Sequence, residues 1–389
     1  MTAVMRAADR RQVAVIGAGI IGLACAWRLS RSGHAVTVLD PAAGSGATHA
    51  AAGMIAPASE AVFGQDALLS TSLASARLWP DFAAELARDV GRPVELAPRG
   101  TLLVALDADD EASLARHARH LERRRCHVER LTSRAARRLE PALSPRVTGA
   151  VRLEETAVDP RAVSAALEDA FVARGGTLLP VLAEPVVRDG RVAGARPVGD
   201  GWATVDAVVD ADVVVVATGW SSPRVLAALG HPVPIRPLKG QVIRLAAAPD
   251  TLTHTVRATV RGREVYTVPR PGGEIVVGAT SEDVGEDVSV TAGAVHDLLH
   301  DAIEVVPELA EATFREATAR LRPATTDNLP LVGPTCVEGL VLASGHGRDG
   351  VLLAPLTAEA VTAHVDGRPP PRCVEPLAAQ RLCPSKERS

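Results

Sequence analysis

The segment 13–40 constrains the fold of this chain most, because it combines a glycine-rich turn with the pattern of a strand, a helix and a second strand. Glycines at positions 17, 19 and 22 follow the apolar run 13–16, and the second apolar run ends in Asp40, eighteen residues after Gly22. Glycine permits a tight turn that brings backbone amides at a helix start close to a pyrophosphate. Asp40 is placed to accept hydrogen bonds from an adenosine ribose and disfavours the extra phosphate of NADP. The segment predicts a dinucleotide site, with a structural glycine turn as the alternative.

Composition limits the classes of protein that fit this chain. Its 389 residues, 47% of them hydrophobic, are enough for two globular domains with a substantial core. The net charge is −4, and the arginine-rich stretch 123–138 also contains acids, which favours a solvated helical face over a docking patch. We therefore expect no nucleic-acid partner. No apolar run reaches membrane-spanning length, so we expect no membrane association.

The amino terminus and the cysteines predict the cellular location. Residues 1–12 are short and charged, which is not typical of a signal peptide. The five cysteines lack the paired spacing of a metal site, so we expect reduced thiols, no metal and a cytoplasmic protein. These cysteines are Cys25, Cys126, Cys336, Cys373 and Cys383.

A run of small residues, 41–54, follows Asp40 and is longer than an ordinary connection in a nucleotide-binding fold. Small side chains allow the backbone to lie against a ligand. Thr48 and His49 could bind phosphate oxygens, and Met54 could lie against an aromatic ring. A flexible surface loop is the alternative interpretation.

The rest of the chain alternates between the patterns of helices and strands. Helices are predicted over 109–125, 132–139, 159–171 and 292–306, and strands over 177–180, 183–188, 192–196, 202–209 and 212–219. The all-valine run 213–216 predicts a central parallel strand whose end, Thr218 and Gly219, can meet a ligand. The short alternating runs between 237 and 322 predict an antiparallel sheet that carries a second domain. The tail after residue 369 is expected to be disordered.

A second glycine turn between a strand and a helix lies near the carboxyl end, at 345–350. A helix start in this position points its positive dipole at a ligand. Near a flavin ring, that dipole would stabilise the negative charge that appears at N1 and O2 on reduction. A purely structural turn is the alternative.

Several motifs in a fixed order resemble the glutathione-reductase-type FAD fold and, more narrowly, the D-amino acid oxidase superfamily. Within that superfamily the chain is most similar to the glycine oxidases, the flavoenzymes of thiamine biosynthesis. The resemblance runs from about residue 12 to residue 366. The motifs lie at 13–22, 50–54, 217–219, 238–241, 266–270, 277–280, 321–327 and 345–355.

The resemblance implies an α/β fold with two domains. The first would be a Rossmann-like FAD-binding domain of residues 1–85, 146–236 and 323–389. The second would be an α+β substrate domain of residues 86–145 and 237–322, built on the antiparallel sheet.

The resemblance also implies an activity and partners. Glycine, and also sarcosine or small D-amino acids, would be oxidised by hydride transfer to FAD. Reoxidation by O2 would give hydrogen peroxide, and the imine would hydrolyse to glyoxylate and ammonia or feed the thiamine thiazole. A homotetramer and transfer of the imine to thiazole synthase are implied in the same way.

The site residues implied by these motifs fall into two sets. Arg322 would clamp the substrate carboxylate with its planar guanidinium, and Tyr266 would donate a hydrogen bond to it. Met54 and Arg348 would lie beside the flavin ring and the substrate. The cofactor set is Gly17, Gly19, Ile20, Ile21, Gly22, Asp40, Thr48, His49, Ala51, Ala52, Gly53, Met54, Val186, Thr218, Gly219, His346, Gly347, Arg348, Asp349, Gly350, Val351 and Leu352. From the residues alone, a structural ion pair remains the alternative for Arg322, and a core position the alternative for Tyr266.

No residue of these motifs is clearly placed as a general base, so none is assigned, and direct hydride transfer needs none. His346 and Glu264 are the candidates for handling a proton. The chain departs from the family pattern at 46–49, where arginine, threonine or serine are common, and at Ser281, where a larger apolar residue can line the pocket. Cys336 does not lie in a pattern typical of flavin attachment, so FAD is expected to be non-covalent.

Three other functions remain open at this stage. A flavin dehydrogenase for D-amino acids or proline-like amines would pass its electrons to a carrier other than oxygen. A non-catalytic flavoprotein subunit would bind FAD that no amino acid reduces. A nicotinamide dehydrogenase would explain the first glycine turn but not the second.

Overall fold

Two large sheets organise the chain, for which a computed structural model describes residues 10–96, 99–199, 208–227, 230 and 232–382. The helices are α1 (Ile20–Arg31), α2 (Ala47–Ala50), α3 (Asp66–Val90), α4 (Ala108–Arg123), α5 (Ser133–Leu139), α6 (Pro160–Ala173), α7 (Ser222–Val225), α8 (Ala292–Val305) and α9 (Gly350–Val365). The strands are β1 (Gln12–Ile16), β2 (Ala35–Leu39), β3 (Met54–Ile55), β4 (Thr101–Ala105), β5 (Glu129–Thr132), β6 (Gly149–Leu153), β7 (Thr156–Ala157), β8 (Thr177–Leu179), β9 (Leu182–Arg188), β10 (Arg191–Val198), β11 (Val209–Asp210), β12 (Val213–Val216), β13 (Ile235–Ala246), β14 (Thr255–Val260), β15 (Arg263–Pro269), β16 (Glu274–Gly278), β17 (Thr313–Thr325), β18 (Leu331–Pro334) and β19 (Leu340–Ser344).

The first sheet has six strands in the order β18-β19-β12-β1-β2-β8. β1 lies parallel to both β2 and β12, and β12 lies parallel to β19. Every residue of β12 is buried, which confirms the central strand predicted from its valines. Because parallel strands point the same way, β1, β12 and β19 deliver their following turns to one edge of this sheet.

The helices on one face of this sheet pack around a single apolar core. α1 packs against α6 and α9, and α3 packs against α6 and α9. The aromatic side chains of Trp27 and Phe82 meet edge to face at 5.0 Å inside it. The opposite face of the sheet is covered by the three-stranded sheet β11-β10-β9. The first glycine turn is therefore held in a rigid frame.

The second sheet has eight strands in the order β17-β13-β16-β15-β14-β4-β6-β5. Its pairings are antiparallel except for β14 with β4. The side chains of α8 pack on one face and close a second apolar core. The predicted antiparallel sheet and the helix within it are confirmed.

Helix starts follow their local chemistry. Asp159 accepts a hydrogen bond from the Arg161 amide with Pro160 in the first turn, as its sequence predicts. Thr132 caps α5 and Asp107 caps α4 in the same way. These predicted helices agree with the structure to within a few residues at their ends.

The division into two domains stays a prediction, with one difference in sheet membership. β6 belongs to the eight-stranded sheet, whereas the predicted boundary assigned 146–236 to the cofactor domain. Its pairing with β4 and β5 across the sheet could not be read from its own short apolar pattern.

Other expectations need correction or lie outside the described residues. The tail after 369 is ordered up to 382, because Val374 and Leu377 are buried and Arg381 donates to the carbonyls of Leu329 and Pro330. Cys336 is disulfide-bonded, so the expectation of five reduced thiols is wrong there. Residues 202–207 of the predicted strand 202–209 are not described. In the described part of the chain no helix is both long and apolar enough to cross a membrane.

Candidate cofactor and substrate site

One cavity of about 1070 Å³ joins the two sheets. On one side it is lined by the turns that follow β1, β2, β12 and β19, and on the other by β13, β14, β15 and β17. It is large enough for a dinucleotide together with a small substrate. The predicted residues that line it are Gly17, Gly19, Ile20, Ile21, Asp40, Thr48, Ala51, Ala52, Gly53, Met54, Thr218, Gly219, Tyr266, Arg322, His346, Gly347, Arg348, Asp349, Gly350 and Val351.

The first glycine turn has no room for side chains at two of its positions. Gly17 has a φ of +105°, and a Cβ there would lie 2.6 Å from the Ala217 carbonyl oxygen. A Cβ on Gly22 would lie 1.9 Å from the Gly17 carbonyl oxygen, so α1 can start this close to β1 only with glycine. The result is a helix amino end that points into the cavity.

Asp40 closes the turn from the next strand. One carboxylate oxygen accepts a hydrogen bond from the Ala18 amide at 2.7 Å, and the other accepts from the Ala42 amide at 2.8 Å. Each oxygen retains further acceptor capacity toward the cavity that Asp40 lines. The same carboxylate thus fixes the glycine turn and stays available to ribose hydroxyls.

The small-residue loop lies directly against the start of α1. The Gly44 amide donates to the Ala18 carbonyl at 2.9 Å, and the Ile20 amide donates to the Thr48 hydroxyl oxygen at 3.1 Å. Since Thr48 uses an acceptor site here, its hydroxyl hydrogen remains available to a phosphate oxygen. This ordered loop does not support the alternative of a flexible surface segment.

The second glycine turn is tied to both neighbouring strand ends. The Ser344 hydroxyl donates to the Gly219 carbonyl at 2.9 Å, and the Gly347 amide donates to the Pro323 carbonyl at 2.8 Å. α9 begins directly after this turn, with its first residues lining the cavity. The turn therefore connects the cofactor sheet to the strand that carries Arg322.

Arg322 and Tyr266 each lie across a glycine of a neighbouring strand. A Cβ on Gly240 would be 2.3 Å from the Arg322 guanidinium carbon, and a Cβ on Gly278 would be 2.3 Å from the Tyr266 hydroxyl oxygen. The Arg322 guanidinium donates to the Thr280 carbonyl at 3.0 Å and forms no ion pair with an acid of the described residues. The structural ion pair considered for Arg322 is therefore absent from the described part of the chain, and the guanidinium faces the cavity.

A cluster of charged residues in this cavity joins the predicted Arg348 and Asp349 to two residues that were not predicted from sequence, Glu60 and Arg257. Arg257, on β14, donates to the Glu60 carboxylate at 2.6 Å, and both side chains are almost buried, 11% and 12% exposed. The Arg348 guanidinium donates to the Glu60 carbonyl at 3.3 Å, and Asp349 lies beside it. Glu60 and Arg257 lie outside the motifs of the sequence analysis, so no motif carried a signal for them.

Burial and like charge act differently on the two acids of this cluster. Burial and the neighbouring Glu60 raise the pKa of Asp349 to about 7. Burial alone would raise the pKa of Glu60, but Arg257 and Arg348 hold it below its usual range. Near neutral pH Glu60 is therefore ionised, whereas Asp349 is close to its pKa and can gain or lose a proton.

Four predicted cofactor residues lie outside the cavity lining. Gly22 acts through packing, and the Leu352 carbonyl accepts hydrogen bonds from Ser75 and Trp79 on α3. Val186 is too far along β9, whose start supplies Leu182 and Ala183 instead. His49 uses its carbonyl to accept from Arg161, and burial followed by nearby arginines lowers the pKa of its side chain.

The two candidates for proton handling differ in environment. His346 is buried, its Nε2 lies 2.9 Å from the Thr357 hydroxyl, and burial lowers its pKa to about 3. It is therefore neutral near pH 7 and directed toward α9. Glu264 lies at the cavity with its side chain 74% exposed, 3.8 Å from Arg257. No group of three metal-ligating side chains occurs in the described ranges.

The donor set fits FAD. The amino end of α1, the Asp40 carboxylate and small residues without bulky side chains line the cavity at the first glycine turn, as a pyrophosphate and a ribose require. The amino end of α9 supplies the positive dipole that a flavin ring favours on reduction.

Comparison with known proteins gives the family. A model of the family described as DAO, FAD dependent oxidoreductase, matches residues 12–364. The glycine oxidase of Geobacillus kaustophilus is 32% identical over 352 residues, which cover 90% of this chain and 91% of that protein. A crystal structure of glycine oxidase from the same organism superposes with a TM-score of 0.86 at 31% identity, covering 96% of this chain and 99% of that chain.

A longer relative is also similar. The bifunctional protein ThiO/ThiG of Trichormus variabilis is 31% identical over 351 residues, which cover 90% of this chain. The chain spans only about half the length of that protein, 51%.

Proposed function

Because the chain belongs to the DAO family of FAD-dependent oxidoreductases, we propose that it oxidises the carbon–nitrogen bond of glycine, and of sarcosine or small D-amino acids. FAD would supply the hydride acceptor, and O2 would be the final oxidant and give hydrogen peroxide. With glycine, hydrolysis of the imine by water would give glyoxylate and ammonia. The observation that carries this proposal is an Arg322 guanidinium without an acidic partner in the described residues, facing a cavity that FAD fits. The identity to glycine oxidases supports the small substrate.

In this proposal Arg322 and Tyr266 bind the substrate carboxylate. The guanidinium is held flat over Gly240 by the Thr280 carbonyl, so its remaining N–H groups form a fixed fork. Burial raises the pKa of Tyr266, which keeps its hydroxyl protonated and able to donate. Met54, at the start of β3, and Arg348 line the same cavity.

Hydride transfer requires a neutral amine and a site with little water. The ionised carboxylate of Asp349 can accept a proton from the substrate ammonium group, which leaves the amine neutral, while Arg257 stabilises the charge of Glu60 beside it. Positioning by Arg322 and Tyr266 supplies the orientation that such a transfer needs.

The cofactor is proposed to be bound without a covalent link, through Gly17, Gly19, Asp40, Thr48 and the turn 346–351. The free cysteines of the described residues, Cys25, Cys126 and Cys373, are absent from the cavity lining, and Cys336 is disulfide-bonded. Acid precipitation should leave a colourless pellet and a yellow supernatant. Yellow colour that stays on the precipitated protein would contradict this.

The deciding experiment is anaerobic addition of glycine, sarcosine and D-alanine to the purified protein while the flavin absorbance is followed, with air admitted afterwards. Bleaching by glycine and recovery with hydrogen peroxide support the proposal. If glycine bleached the flavin and air did not restore its absorbance, the result would favour a dehydrogenase over an oxidase. Bound FAD that no amine reduces would favour the non-catalytic subunit.

A homotetramer, a cytoplasmic location and transfer of the imine to thiazole synthase complete the proposal. The bifunctional relative, in which a region like this chain is part of a longer protein, supports the last point. Light scattering and co-purification with thiazole synthase test the assembly.

A further inference from the structure

The loop that faces the start of α1 contains no full positive charge. Residues 42–48 are Ala-Ala-Gly-Ser-Gly-Ala-Thr. The next residue, His49, is kept largely neutral because burial and nearby arginines lower its pKa. A pyrophosphate bound there would meet backbone amides and the Thr48 hydroxyl, which leave its two negative charges only partly compensated.

Arg320 of β17 lies beside this loop and lines the same cavity. Its Nε donates to the Ser45 carbonyl at 2.8 Å and its Nη1 to the Ala319 carbonyl at 2.8 Å. Nη2 has no partner in the described residues, and no acid there pairs with the guanidinium. A half-buried guanidinium that has no acidic partner in the protein is uncommon unless it binds an anionic ligand.

The other arginines of the cavity lining are committed elsewhere. Arg257 pairs with Glu60, while Arg322 and Arg348 lie toward the second glycine turn. Among the arginines of the cavity lining, Arg320 is thus the one that contacts the loop 42–48, through the Ser45 carbonyl. The Gly44 amide bonds to Ala18, so this loop and the α1 turn form one surface.

We propose that Arg320 binds the pyrophosphate of FAD, supplying from the second sheet the charge that the small-residue loop lacks. The cofactor would then be clamped between the two sheets, with α1 on one side and β17 on the other. Arg322 lies two residues further along the same face of β17. One strand would therefore hold the cofactor and the substrate carboxylate in register.

The test measures FAD affinity without measuring turnover. Apoprotein is titrated with FAD by flavin fluorescence for the native chain and for Arg320→Gln, Arg320→Lys and Arg315→Gln. Arg315 is an exposed arginine on the same strand outside the cavity lining, so it controls for the loss of one charge. We expect Arg320→Gln to raise the Kd of FAD about tenfold. Arg320→Lys should retain part of the affinity, and Arg315→Gln should match the native chain.

Displacement of FAD by ADP and by adenosine separates a phosphate contact from loop support. Arg320→Gln should weaken ADP about tenfold and leave adenosine unchanged. Equal weakening of ADP and adenosine would mean that Arg320 only holds the Ser45 loop, which overturns the proposal. Unchanged FAD affinity would overturn it as well. Neither result depends on which amine the enzyme oxidises.

Discussion

The cofactor end of the cavity and its proposed substrate end are built in different ways. At the cofactor end, one continuous segment from 13 to 48 supplies the glycine turn, Asp40 and Thr48. The groups available to the cofactor there are mainly backbone amides. At the substrate end, the side chains of Tyr266, Arg322 and Glu60 come from separated strands and loops. The first end depends on local backbone geometry, whereas the second depends on how the eight-stranded sheet is assembled.

The largest effect is expected from adding a side chain at the first glycine turn. Gly22→Ala would place a Cβ 1.9 Å from the Gly17 carbonyl oxygen, so α1 or the turn must move. We expect a loss of at least about 3 kcal/mol in the free energy of unfolding and little bound FAD. Thermal unfolding and the flavin-to-protein ratio measure both.

The matched control for this substitution is Gly293→Ala in α8, where a Cβ meets no atom within 4 Å. Alanine in a helix should leave this variant as stable as the native chain or about 1 kcal/mol more stable. If Gly22→Ala bound FAD fully and unfolded like the native chain, the cofactor end would not depend on this close contact.

The next effect concerns the substrate end. Arg322→Lys keeps the charge but loses the planar fork that lies over Gly240 and bonds to Thr280. We expect kcat/KM for glycine to fall about 100-fold with normal FAD content, since the carboxylate is no longer held in one orientation. Stopped-flow reduction by glycine measures this. If glycine reduced Arg322→Lys as fast as it reduces Arg315→Gln, the substrate carboxylate would not bind at Arg322.

A smaller effect is expected from the residue that holds the loop around Thr280. Lys239 is buried, 1% exposed, and its Nζ lies 2.8 Å from Asp287 and 3.5 Å from Glu282. The backbones of Lys239 and Glu282 also bond to each other in both directions. This loop carries the carbonyl that orients Arg322, so Lys239 acts as a positioning residue.

Lys239→Met should therefore raise the KM for glycine about tenfold while changing kcat less. The hydrogen bond from Lys239 lowers the pKa of Asp287 to about 2, so the native pair stays charged throughout the neutral range. Asp287→Asn should act in the same direction and more weakly. If kcat fell and KM stayed constant in both variants, the loop would not act through Arg322.

The two ends also differ in what the sequence could predict. The strand, turn and helix at 13–40 were predictable because the residues that form the turn, start the helix and end the second strand lie close together in sequence. The resemblance to the family supplied Arg322 and Tyr266. Glu60, Arg257 and Arg320 were missed because their roles arise only when β14 and β17 meet loops more than 190 residues away in sequence. The cavity lining includes Leu182 and Ala183 of β9, whereas the predicted Val186 lies three residues beyond Ala183, because register in a short strand is not fixed by its own pattern.

The smallest effect is a pH dependence confined to the substrate end. Asp349 carries a proton below a pKa of about 7 and loses it above, which adds a second negative charge beside Glu60. The affinity of a carboxylate ligand should therefore fall as pH rises from 6 to 8. Acetate, which has no amine to titrate, should bind to the native chain on the order of fivefold more weakly at pH 8 than at pH 6.

Asp349→Asn removes the titrating group and keeps its shape, so acetate binding followed by the flavin spectrum should become independent of pH over this range. A native chain whose acetate affinity is constant between pH 6 and 8 would show that Asp349 does not titrate there. A pH dependence that persists in Asp349→Asn would move its origin to another group, such as His117, which lines the cavity and whose pKa burial lowers.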